Sequence, residues 1–119
     1  MSTPKDFRIG WLLLLLRSST RGYGYDLRRE LSLRGMSLDP AVLYRSLRDM
    51  ESAGLIASSW MHSEEGPRRR VYTITAVGRA ELGRVAGLVR DSRDAQDAFL
   101  VAYREHRSER SGAVHRGRA

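Results

Sequence analysis

Arginine supplies most of the chemistry available to this chain. Ala41, Tyr44, Arg45 and Arg48 stand at i, i+3, i+4 and i+7, which places them on one face of a helix. Arg68, Arg69 and Arg70 follow directly on a Gly-Pro pair. A guanidinium is a planar fork of donors that fits phosphate oxygens and the major-groove edge of guanine, so two such sets suit a nucleic-acid duplex. Of the 21 basic residues only Lys5 is a lysine, and against 14 acidic residues they leave a formal net charge of +7. An excess of this kind in a small chain implies an anionic polymer as partner. Tyr25 and Val42 complete the candidate DNA-contact set. The competing readings are a solvated helix face and a charge cluster that keeps a hairpin tip soluble. Two arginine sets on neighbouring elements favour DNA.

Other chemistry is poorly supported. The chain has no cysteine, which excludes a disulfide scaffold, a zinc ribbon and a catalytic thiol and fits a reducing cytoplasm. His62, His106 and His115 are scattered, so no metal site is implied. Gly22-Tyr23-Gly24 lacks the third glycine and the preceding strand of a dinucleotide loop. With neither a nucleophile motif nor paired carboxylates, the expectation is a protein that is not an enzyme and carries no cofactor. The apolar run Trp11–Leu16 ends at Arg17, far short of the roughly 20 residues a membrane span needs.

The elements that must position these residues can be read in order. A first helix is expected from Phe7 to Ser18, with Asp6 at its start. A second follows from Gly24 to Arg34, drawing on Tyr25, Leu27, Leu31 and Leu33 and capped by Gly35. The third has the clearest start: Asp39 as N-cap, Pro40 at the first helical position, and Leu38 and Leu43 as a hydrophobic staple. Leu43, Leu47 and Met50 then face the core, and Gly54 closes the helix. Two strands follow, Ile56–Ser63 and Arg70–Ile74, joined by a turn at Glu64-Glu65-Gly66-Pro67. Thr75 opens a long last helix, 76–104, and the Arg-, Ser- and Gly-rich segment 105–119 reads as a disordered basic tail.

Three helices followed by a hairpin make a winged helix-turn-helix, so the expected fold is mainly α with a β-hairpin: a DNA-binding domain over 1–75 and a C-terminal dimerisation helix. Leu82, Val89, Gln96 and Tyr103 recur every seven residues, with Val85, Phe99 and Leu100 beside them, a stripe suited to a partner helix. Packing against the first helix of the same chain is the alternative, and both can hold at once. Trp11 and Trp60 are most simply core or interface residues, and either is a candidate to line an effector pocket.

Three segments resemble the PadR-type transcriptional regulators, in particular the short members with one C-terminal helix. They are Gly22-Tyr23-Gly24-Tyr25-Asp26-Leu27; Leu43-Tyr44-Arg45-Ser46-Leu47 with Glu51-Ser52-Ala53-Gly54-Leu55-Ile56; and Gly66-Pro67-Arg68-Arg69-Arg70-Val71-Tyr72-Thr73-Ile74-Thr75 with Gly78. The usual family pattern differs at Ala41-Val42 and Arg45. The resemblance implies a homodimeric repressor that binds double-stranded DNA and is tuned by a small-molecule effector; two recognition helices in successive major grooves then call for an inverted-repeat operator. The rival function is a winged helix that binds another protein rather than DNA.

Overall fold

The computed structural model describes residues 2–18, 22–63 and 66–118. Its elements are α1 (Pro4–Arg17), α2 (Gly24–Leu33), α3 (Pro40–Ser52), β1 (Ile56–Ser63), β2 (Gly66–Ile74) and α4 (Ala76–Arg118). This is a winged helix-turn-helix carrying a long C-terminal helix.

The first helix starts earlier than Phe7. Thr3 Oγ1 accepts from the Asp6 N–H at 3.1 Å, and the Asp6 carboxylate accepts from the Thr3 N–H at 2.9 Å. This reciprocal capping box, with Pro4 at the first helical position, sets the boundary. Asp39 caps α3 as its sequence predicts, accepting from the Ala41 N–H at 2.8 Å. The helices α2 and α3 both end on a glycine in the left-handed region, Gly35 at φ 79° and Gly54 at φ 78°. Beyond each glycine an N–H turns back to the helix, Met36 to the Leu31 carbonyl and Leu55 to the Met50 carbonyl, each at 2.9 Å.

The core is aliphatic. Leu12, Leu13 and Leu15 of α1 meet Leu27 and Leu31 of α2, Leu43, Leu47 and Met50 of α3, and Leu55, Ile56 and Tyr72 of the hairpin. Tyr25 and Leu33, expected to help α2 pack, are instead exposed. They lie off the face that Leu27 and Leu31 define four residues apart. No helix among the described residues is long and apolar enough to cross a membrane.

The hairpin is antiparallel, pairing Ile56 with Ile74 and Trp60 with Arg70, with an irregularity between Met61 and Ser63. The strand β2 begins at Gly66 rather than Arg70, so Arg68 and Arg69 are strand residues. The expected turn residues Glu64 and Glu65 lie outside the described residues. A single bridge, Tyr23 to Val71, joins the entry of α2 to the edge of β2. There the Tyr72 N–H donates to the Gly22 carbonyl at 2.7 Å. A Cβ on Gly22 would stand 1.9 Å from the Tyr72 carbonyl oxygen. Gly22→Ala is therefore expected to destabilise by about 1–3 kcal/mol or more, as over-packing does. The exposed Gly83, with open space around it, should give the opposite sign on change to Ala, by up to about 1 kcal/mol of helix propensity. Paired thermal melts measure both; equal Tm for Gly22→Ala and the parent would contradict the close approach.

Thr75 ties α4 to the body. Its hydroxyl donates to the Gly54 carbonyl at 2.6 Å and accepts from the Gly78 N–H at 3.0 Å. The helix then runs back along α1, where Val85 Cγ1 would lie 2.8 Å from a Cβ on Gly10. Two expectations change here. Leu82 and Val85, assigned to a dimer seam, are buried within their own chain, at 7% and 3% exposure. The early turns of the seven-residue stripe already have a partner in α1. Helix also continues to Arg118, past Glu105, because arginine, glutamate and alanine sustain a helix and no proline stops it. Gln96, Phe99, Leu100 and Tyr103 lie exposed on the projecting part. The molecule is accordingly long, 82 × 27 × 23 Å.

Candidate nucleic-acid interface

The exposed face of α3 carries Ala41, Tyr44, Arg45 and Arg48, with Val42 half-buried at its edge. Leu43, Ser46, Leu47 and Met50 are buried, which turns the other face outward. Among the described residues Arg45 and Arg48 enter no ion pair. Their guanidiniums are free for an external anion.

Tyr44 leans on α2. A Cβ on Gly24 would lie 2.7 Å from its ring and 3.0 Å from its hydroxyl oxygen, so the absence of a side chain at Gly24 makes room for Tyr44. That contact brings three elements together. Tyr25 of α2, Tyr44 of α3 and Arg69 of β2 line one depression of about 470 Å³, with Arg70 and Tyr72 also lining it. Burial pushes the Tyr72 phenol above its ordinary pKa. Tyr25 also lines a second depression of about 270 Å³ with Arg28, Arg29 and Ser37. Arg28 and Arg29 were missed in the sequence, although Tyr25, Arg28 and Arg29 repeat the i, i+3, i+4 spacing that singled out α3.

The three wing arginines do different things. The Arg69 guanidinium sits over the Tyr23 ring, 5.9 Å from its centroid. Arg68 sits over Trp60 at 5.4 Å. Arg70, expected to meet DNA, is engaged within the chain. Its Nη2 donates to Glu51 Oε2 at 3.1 Å and its Nε to Ser58 Oγ at 2.9 Å. The Ser58 hydroxyl donates to Glu51 Oε1 at 2.6 Å. Glu51 is one helical turn past Leu47, close enough to the hairpin to claim the third arginine.

The Ser58 hydrogen bond, then the Arg70 charge, hold the Glu51 carboxyl below the usual glutamate range, against some desolvation. Because the native value lies below the unfolded one, this stabilisation is complete above the unfolded pKa and is lost as pH falls through the native value. Thermal melts across the acid range should show Glu51→Gln losing part of the parent's pH dependence there and matching its slope at neutral pH. An unchanged acid limb in the variant would contradict the assignment.

Trp11 and Trp60 do not share a pocket. Trp60 lies on the wing beneath Arg68 and Arg70. Trp11 faces a groove of about 230 Å³ between α1 and α4, lined also by Phe7, Leu14, Leu82 and Val89. No group of side chains with metal-ligand character occurs among the described residues.

Residues 12–84 match the model of the transcriptional regulator PadR-like family. The chain belongs to this family of transcriptional regulators. A PadR chain therefore accounts for both the winged helix and the start of α4. The chain is 40% identical over 60 residues to transcriptional regulator Rv3488 of Mycobacterium tuberculosis, a stretch that covers 50% of this chain and 55% of that protein. It thus spans about half the length of this curated relative. Among solved structures, a PadR family transcription regulator from Clostridium difficile R20291 is 27% identical, with a TM-score of 0.67 over 77% of this chain and 97% of that one. Bacillus subtilis PadR in complex with operator DNA has the same fold at 22% identity, with a TM-score of 0.58 over 66% of this chain and 46% of that one.

Proposed function

We propose that this PadR-family regulator binds double-stranded DNA in a sequence-dependent manner, as a homodimer on an inverted-repeat operator, and represses transcription. The observation that carries the reading is the convergence of Tyr25, Tyr44 and Arg69, from α2, α3 and β2, on one surface beside the unpaired Arg45 and Arg48. Such a surface lets α3 enter a major groove while Arg28, Arg29, Arg68 and Arg69 reach phosphates on either side. The operator-bound Bacillus relative supports the polymer class. A regulator that acts on DNA in this way works in the bacterial cytoplasm.

The dimer is supported by Phe99, Leu100, Val101 and Tyr103, exposed on α4 beyond the reach of α1. The α1–α4 groove at Trp11 is the place for a small effector. At about 230 Å³ it is smaller than the roughly 300–1,000 Å³ of typical ligand pockets, which suits a single apolar ring or a partner's side chain. Trp60 has no part in it.

Selection of bound fragments from random duplex DNA, repeated with small aromatic compounds, tests the function. A recovered inverted repeat, with affinity that falls steeply with salt, is the expected result. Recovery of no preferred sequence and a flat salt response would favour a protein-binding winged helix.

A further inference from the structure

The inner side of the wing holds a continuous chain of contacts. Glu51 grips Ser58 and Arg70, at 2.6 and 3.1 Å, and Arg70 donates to Ser58 at 2.9 Å. These three residues come from α3, β1 and β2, so the triangle links the recognition helix to both strands. The Arg70 guanidinium also lies over Trp60, 5.6 Å from the ring centroid, and Arg68 lies over the same ring at 5.4 Å. Trp60 and Arg70 are direct cross-strand partners, which keeps the ring beside the strut.

We propose that Arg70 is a positioning residue rather than a DNA contact: with Glu51 and Ser58 it fixes the angle between the wing and α3, and through Trp60 it sets where Arg68 points. The inference rests on the DNA-binding function proposed above. Half-exposed ion pairs of this type add little to overall stability. Geometry is where the cluster acts: Ile56 and Tyr72 in the core, the Tyr23–Val71 bridge and the Tyr72–Gly22 hydrogen bond hold the base of the hairpin, and the cluster ties α3 to both strands one step further toward the tip. A wing free to swing would present Arg68 and Arg69 to phosphate only part of the time.

Plain electrostatics and the strut predict opposite signs. Glu51→Gln removes a negative charge near DNA and releases a cation, so by charge alone it tightens binding. As a strut component, the same change weakens it. Fluorescence anisotropy with a labelled mixed-sequence duplex at several salt concentrations reads the difference. The expected result is a loss of about tenfold for Glu51→Gln, a similar loss for Arg70→Gln, and a double variant no worse than either alone. The salt slope of Glu51→Gln should equal the parent's, whereas Arg68→Ala should lose about one unit. Ser58→Ala is a milder second variant with the same direction. Tighter binding by Glu51→Gln, or a slope loss of about one unit for Arg70→Gln with additive effects, would overturn the proposal.

Hydrogen exchange of the amides in 57–60 and 69–72, without DNA, tests the strut independently. Faster exchange in Glu51→Gln and Arg70→Gln, with melting temperatures near the parent's, is expected. Unchanged exchange would refute the strut even if DNA binding holds. Accelerated exchange in the two variants, with a parent that binds no duplex, would refute the function while leaving the strut in place.

Discussion

Arg45→Ala and Arg48→Ala should relax base preference at defined positions of the operator, while Arg68→Ala and Arg69→Ala should weaken every duplex alike. Both helix arginines are exposed on the outward face of α3 and enter no ion pair among the described residues. A bidentate contact from such a side chain to guanine discriminates against the wrong base by about 1–3 kcal/mol, roughly five- to 150-fold. The wing arginines rest on aromatic rings, Arg68 on Trp60 and Arg69 on Tyr23. That arrangement presents a charge at a fixed height without committing its donors to one base edge, and phosphate contacts position a protein without specifying sequence. Removing one should lower affinity for operator and random duplex by the same factor and flatten the salt dependence by about one unit. The measurement is binding of each variant to single-base operator changes at several salt concentrations. Base preference altered only by the wing variants, with uniform loss for the helix variants, would reverse the two roles.

Local signals in the sequence were sufficient where one residue type fixes a boundary. Asp39-Pro40 set the start of α3, Gly35 and Gly54 closed helices, and Thr75 opened α4, all by short-range hydrogen bonding that spacing alone reveals. Arg45 and Arg48 were legible because the buried stripe Leu43, Leu47 and Met50 determines which way they face. Sequence is silent where a tertiary partner decides. Nothing in the run Arg68-Arg69-Arg70 distinguishes its third member until the fold brings Glu51, 19 positions earlier, against the hairpin. That Trp60 is exposed on a two-stranded wing, rather than part of a core or interface, cannot be seen in a sequence. The start of α1 is legible at Thr3-Pro4-Lys5-Asp6, a capping box with aspartate in place of the usual glutamate. The periodicity of α4 was sound, but a seven-residue repeat does not say which helix it packs against. Leu82 and the neighbouring Val85 are covered by α1, whereas Gln96 and Tyr103 are exposed.

That division within α4 fixes the form of the dimer prediction. Val89 is half-buried at the rim of the α1–α4 groove, and Leu100 is 51% exposed next to Phe99 and Tyr103, whose rings stack at 6.4 Å. A second copy that lays its projecting helix along this surface would cover both positions, with the apolar residues repeating at coiled-coil spacing. Replacing Val89 and Leu100 with glutamate puts unpartnered carboxylates into that contact from each protomer. The desolvation penalty of such a charge is several kcal/mol per ion, so the double variant should be monomeric at micromolar concentration. Neither side chain belongs to the buried core, so the winged helix should keep its melting transition and the loss will not be one of folding. DNA binding should then fall by far more than any single arginine change produces. A dimer meets the second half-site at the high effective concentration set by the first, an advantage of about 10²–10⁴ that a monomer forfeits. Affinity for a single half-site should barely change, because Arg45, Arg48, Arg68 and Arg69 are untouched. Analytical ultracentrifugation and binding to full and half operators make the comparison. A parent that sediments as a monomer, or a double variant that keeps full operator affinity, would remove α4 from the dimer contact and leave Phe99, Leu100 and Tyr103 to another partner.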